Sequence, residues 1–128
     1  MKIEHVAFNV SDPKATAAWY AEHLGFKIVR AIETAPFAHF LADDSGSVMI
    51  EIYGNEEARI PVYSAMNPLV LHLALVSHDM DADRSRLIAA GAEAVGDVQT
   101  TPAGDRLAML RDPWGFAVQL CERAEPMI

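Results

Sequence analysis

Two stretches of the chain carry the same hydrophobic pattern. Residues 3–11, IEHVAFNVS, and residues 69–77, LVLHLALVS, are both apolar runs with one histidine, His5 and His72, and an alanine two residues later, Ala7 and Ala74. In a strand, residues two apart share a face, so each histidine is expected beside a small residue that leaves room above it. In the first run Val6, Phe8 and Val10 fall on one face, opposite His5, Ala7 and Asn9. After each run comes a helical stretch. Asp12-Pro13 offers an N-cap and a proline at the first helical position, and Ala17, Tyr20, Ala21 and Leu24 recur at helical spacing before Gly25. Asp79 caps the second helix, expected to run to Ala90, with Gly91 as its stop. Strands are predicted over 26–33, 37–42 and 47–53 in the first half, and over 93–98, 106–111 and 116–122 in the second.

The chain thus reads as one βαβββ unit used twice, an α+β fold in a single domain. Module 1 is expected at 1–54, a linker or lid at 55–68, and module 2 at 69–123. Asp43-Asp44-Ser45-Gly46 supplies one turn, and Asp112-Pro113-Trp114-Gly115 fits a type I turn. At 128 residues and 52% hydrophobic content, the chain has enough apolar material for one buried core and is not disordered. Its apolar runs are far shorter than the roughly 20 residues of a membrane span. A net charge of −8 argues against nucleic acid and anionic membranes as partners. Cys121 is the single cysteine, and no signal peptide is visible at MKIEHVAF, so a cytoplasmic location is expected.

A second polar residue follows each histidine on an otherwise apolar strand. Glu51 lies 46 residues after His5, and Gln119 lies 47 after His72. Taken singly, each is a common structural or solvated residue. Taken together, they place two imidazoles, one carboxylate and one amide at equivalent positions of two repeats. Burying such groups without partners is unfavourable by several kcal/mol. A shared divalent metal ion would remove that penalty, and this donor set suits a first-row ion with positions open to substrate. His39, Tyr53, Met49, Asn9, Met109 and Arg106 are candidates to line the same cavity. Cys121 shares the face of Gln119 and has no activating base in sequence, so it is read as structural.

These features resemble the vicinal oxygen chelate superfamily, which includes glyoxalase I, extradiol dioxygenases and bleomycin-binding proteins. The resemblance rests on HVAFNVSD at His5, Trp19-Tyr20 with Leu24-Gly25-Phe26, Ile50-Glu51-Ile52, His72-Leu73-Ala74-Leu75, Ala89-Ala90-Gly91, and Asp112-Pro113-x-Gly115 with Gln119-Leu120. It implies curled mixed sheets forming a central cup around one divalent metal (Ni, Zn, Fe, Co or Mn). His5, Glu51, His72 and Gln119 occupy the four ligand positions. Bacterial glyoxalase I has His, Glu, His, Glu there; Gln119 departs from it, and an amide cannot take up a proton at neutral pH. The resemblance therefore implies a metal-dependent, glyoxalase I-like lyase acting on a small substrate with adjacent oxygens, with Glu51 as the catalytic base. The alternative is a bleomycin-resistance-type binding protein without catalysis. A homodimer is expected, since the outer strands of each half leave edges that pairing covers.

Overall fold

The computed structural model describes residues 1–127. The chain forms two compact units, residues 1–61 and 62–128. In the first, β1 (His5–Asn9), α1 (Pro13–His23), β2 (Lys27–Ala31), β3 (His39–Ala42) and β4 (Met49–Tyr53) follow the expected βαβββ order. The sheet order is β1-β4-β3-β2, with β1 parallel to β4 and the other pairs antiparallel. Helix α1 begins where the sequence says it should: the Asp12 side chain accepts from Ala15 N–H, and Pro13 sits in the first turn. Its inward residues Thr16, Ala17 and Tyr20 are buried with Phe8, Val10, Leu41, Ile50 and Ile52. Each large apolar side chain so buried contributes about 1.5–3 kcal/mol.

The second unit repeats the scheme. It contains β5 (Leu73–Val76), α2 (Met80–Ala89), β6 (Glu93–Ala94), β7 (Gln99–Thr100), β8 (Arg106–Arg111) and β9 (Ala117–Glu122), preceded by a 3-10 turn at Tyr63–Ala65. The path through its sheet is β5-β9-β8-β6, and β7 also pairs with β8. Met80, Leu87, Leu110, Phe116, Val118 and Leu120 form the core. Two mixed sheets and two helices make the fold α+β, as expected.

Three local expectations are corrected. The strand expected over 93–98 is reduced to Glu93–Ala94, with a second short strand beyond it at Gln99–Thr100, because Gly96 takes a left-handed φ of 76° between them and interrupts the ladder. The strand around His72 starts only at Leu73. Asn67 captures the chain before it: its side chain accepts from Leu69 N–H, and its carbonyl from Val70 N–H. That turn outcompetes the apolar run, so His72 precedes β5 instead of lying on it. The third is His39, which is buried and stands opposite Ile52, on the helix-facing side of its sheet and away from the face bearing Glu51.

Residues 54–61 go with the first unit and 62–68 with the second. Asn9 holds the former, donating to the carbonyls of Asn55 and Ala58 and accepting from Asn55 N–H. Arg111 holds the latter, donating to the carbonyls of Tyr63, Met66 and Gly115.

Candidate functional site

The pairing registers place the candidate residues. In the first unit Ala7 stands opposite Glu51 across the parallel β1–β4 pair, and Glu51 stands opposite Phe40 of β3. Residues directly opposite share a face of the sheet, so Ala7, Glu51 and Phe40 form one row on the face away from α1. His5 lies two residues before Ala7 on the same face. Its Nε2 is 3.4 Å from Glu51 Oε2, and its ring meets the Phe40 ring edge-on at 5.7 Å between centroids. Two residues 46 positions apart in sequence thus come together as expected.

Glu4 was not foreseen. Its carboxylate bonds His5 Nδ1, so the imidazole is held between two acids. The Glu4 bond, and then the charges of Glu4 and Glu51, raise the His5 pKa above its ordinary value despite some desolvation.

The second unit has the matching row. Ala74 of β5 stands opposite Gln119 of β9, as Ala7 stands opposite Glu51, and Gln119 stands opposite Met109 of β8. His72 lies two residues before Ala74. Its Nδ1 bonds the carbonyl of Pro68 at 2.9 Å. A carbonyl only accepts, so Nδ1 carries a proton, and in a neutral ring Nε2 is then the nitrogen with the lone pair. That is the orientation a metal-ligating histidine requires. Gln119 is less free: the Cys121 thiol donates to its Oε1 at 3.5 Å. Cys121 itself is buried, and burial pushes its thiol pKa up, away from a reactive thiolate. Arg106, a candidate liner, is instead committed to Asp81 and Glu122.

Residues 2–120 match the Glyoxalase/Bleomycin resistance protein/Dioxygenase superfamily. The chain belongs to that superfamily. Its solved relatives share the fold over nearly their whole length. One, TnmS3, described as an antibiotic binding protein from Streptomyces sp. CB03234, has 24% identity and a TM-score of 0.74, covering 97% of each chain. Another, described as a member of the Glyoxalase/bleomycin resistance protein/dioxygenase superfamily from Sphaerobacter thermophilus DSM 20745, has 19% identity and a TM-score of 0.76, covering 96% of this chain and 98% of the other. SMU.1112c has 28% identity and a TM-score of 0.74, covering 95% and 98%. No curated protein sequence matches significantly.

Many members of this superfamily hold a divalent metal, so the donor set can be tested for fit. Ligand atoms about 2.0–2.2 Å from one ion lie near 3 Å apart, and the His5–Glu51 separation of 3.4 Å is close to that. The Nε2 of His72 also fits. The amide oxygen of Gln119 keeps a second lone pair beside its bond from the Cys121 thiol, so it fits as a neutral, weaker donor. Among the described residues no three His, Cys, Asp or Glu side chains form a group able to hold an ion.

Proposed function

We propose that the chain binds a small molecule with adjacent oxygens and acts on it as a glyoxalase I-like, metal-dependent lyase. His5, Glu51, His72 and Gln119 would hold the divalent ion. When bound, that ion supplies Lewis acidity toward a carbonyl oxygen and stabilises negative charge developing beside it. Glu51 is the one carboxylate of the set, and moving the substrate proton falls to its carboxylate. His5 would steer Glu51 and Glu4 would steer His5, as acids behind ligating histidines commonly do. The observation that carries this reading is the His5–Glu51 pair, assembled by the β1–β4 register from distant parts of the sequence.

A second reading is a binding protein that sequesters its ligand without chemistry. The bond from Cys121 to Gln119 favours it, because it gives the amide oxygen a partner within the protein that needs no metal. TnmS3, the antibiotic binding protein named above, shares the fold and lends the same reading support.

One experiment separates the two. The protein is loaded with Ni, Zn, Co or Mn and assayed for proton exchange on a 2-oxo-aldehyde hemithioacetal. The lyase reading expects metal-dependent exchange that Glu51→Gln removes. It also expects Gln119→Glu to raise metal affinity, since a negative charge is added beside a cation at similar side-chain volume. Lower metal affinity in Gln119→Glu, with no exchange under any metal, gives the lead to the binding reading.

A further inference from the structure

The row across the first sheet does not end at Phe40. Across the antiparallel β2–β3 pair, Arg30 stands opposite Phe40, just past a bulge at Val29. Its guanidinium lies over the Phe40 ring, 5.9 Å from the centroid. The four strands therefore bring Arg30, Phe40, Glu51 and Ala7 into one line, with His5 leaning on the same Phe40 ring.

Arg30 differs from most arginines of the chain. Arg86, Arg106 and Arg123 each bind a carboxylate, and Arg111 binds three carbonyls. Among the described residues Arg30 has no acid within ion-pair distance and is held only by the ring beneath it. A guanidinium held over an aromatic ring with no acid bound keeps its N–H donors available, in the fork geometry that binds carboxylate, sulfonate or phosphate bidentately. The chain carries −8 overall, so an unpaired cation beside an aromatic ring on this face is not explained by the general surface charge. Neighbouring strands lie about 4.8 Å apart, which puts Arg30 roughly 10 Å from the Glu51 backbone, two strands away. That is about one Debye length in physiological salt, so the Glu51 carboxylate repels an anion at Arg30 only weakly.

From this arrangement we infer that Arg30 is a ligand-binding and specificity-determining residue. It recognises an oxyanion on a flat, unsaturated small molecule whose body lies along Phe40 toward Glu51. The inference rests on the proposal that this face receives a small molecule, and it narrows the ligand to an anionic one. It does not depend on whether a metal is bound or a reaction follows.

The test uses two fluorescent probes of the same shape on the metal-free full chain. One is 8-anilino-1-naphthalenesulfonate, and the other is the neutral N-phenyl-1-naphthylamine. The native protein is expected to bind the sulfonate at least tenfold more tightly. Arg30→Met, which keeps the apolar stem, should weaken sulfonate binding at least tenfold and leave the neutral probe within twofold. Arg30→Lys should fall between, keeping charge but losing the fork. Affinity for Zn should stay at the native level in all three proteins, so a failure of the metal proposal would be seen separately. Sulfonate binding unchanged within twofold in Arg30→Met, or no preference for the sulfonate in the native protein, overturns the inference.

Discussion

His5 decides most at the scale of single residues. Because Glu4 and Glu51 flank it, its pKa is raised. A raised folded value means that the protonated form is favoured by folding. The associated stability is complete below the unfolded value near 6.5 and is lost as pH rises through the folded value. Proton NMR of the His5 ring should give a titration midpoint above 6.5, and Glu4→Gln should bring it down toward that value. A midpoint at or below 6.5 in the native protein would remove the Glu4 bond from the account. The pairing of His5 with Glu51 was legible in the sequence, from matched spacing in the two halves. Glu4 was not, because adjacent strand residues normally point to opposite faces, and only the exposed start of β1 lets this one turn back.

Among the elements, helix caps and glycine stops were the most legible features. Asp12 and Asp79 cap as their sequences dictate, and Gly25 and Gly91 take positive φ. Strand limits near His72 and Gly96 were less legible, since Asn67 and Gly96 act through turn geometry that an apolar run does not reveal. The turn at 112–115 is a stronger case. Asp112 accepts from the N–H groups of Trp114 and Phe116, and Gly115 N–H donates to the Asp112 carbonyl. Gly115 has φ 88°, and a Cβ there would lie 2.8 Å from the backbone nitrogen of Ser64. The strain of a left-handed non-glycine residue and the clash add, so Gly115→Ala should destabilise the protein by about 1–3 kcal/mol. Urea denaturation checks this; a midpoint equal to the native one would contradict the packing of the Tyr63–Ala65 turn on this loop. Phe40 and Arg30 were missed at this scale too. The bulge that aligns Arg30 with Phe40 leaves no mark in the hydrophobic pattern.

For the whole molecule, each unit ends on a parallel edge strand, β1 in one and β5 in the other. Both edges carry an exposed apolar side chain: Val6 of β1 at 47% exposure and Val76 of β5 at 70%. Such edges invite pairing with another chain, and we propose a homodimer in which they are covered. Sedimentation equilibrium at micromolar concentration should return about twice the chain mass of 14.0 kDa. A monomer there would contradict the dimer, and Val76→Lys should shift the equilibrium toward monomer if β5 lies in the interface. The repeat was legible in the sequence because both halves had to solve the same folding problem with similar residues. The reaction was not, because Gln119 fits a ligand position and a plain hydrogen-bonding role equally well in sequence.

The central claim is that His5, Glu51, His72 and Gln119 share one divalent ion, and metal titration of the native protein beside the His5→Ala/His72→Ala variant tests it most directly. Both histidines lie outside the buried core, so the variant should keep its fold by circular dichroism and thermal melting. Isothermal titration with Zn at pH 7.5 should give saturable binding at one ion per site in the native protein and loss of at least a hundredfold in affinity in the variant. Binding of equal stoichiometry and affinity in the two proteins would contradict the assignment.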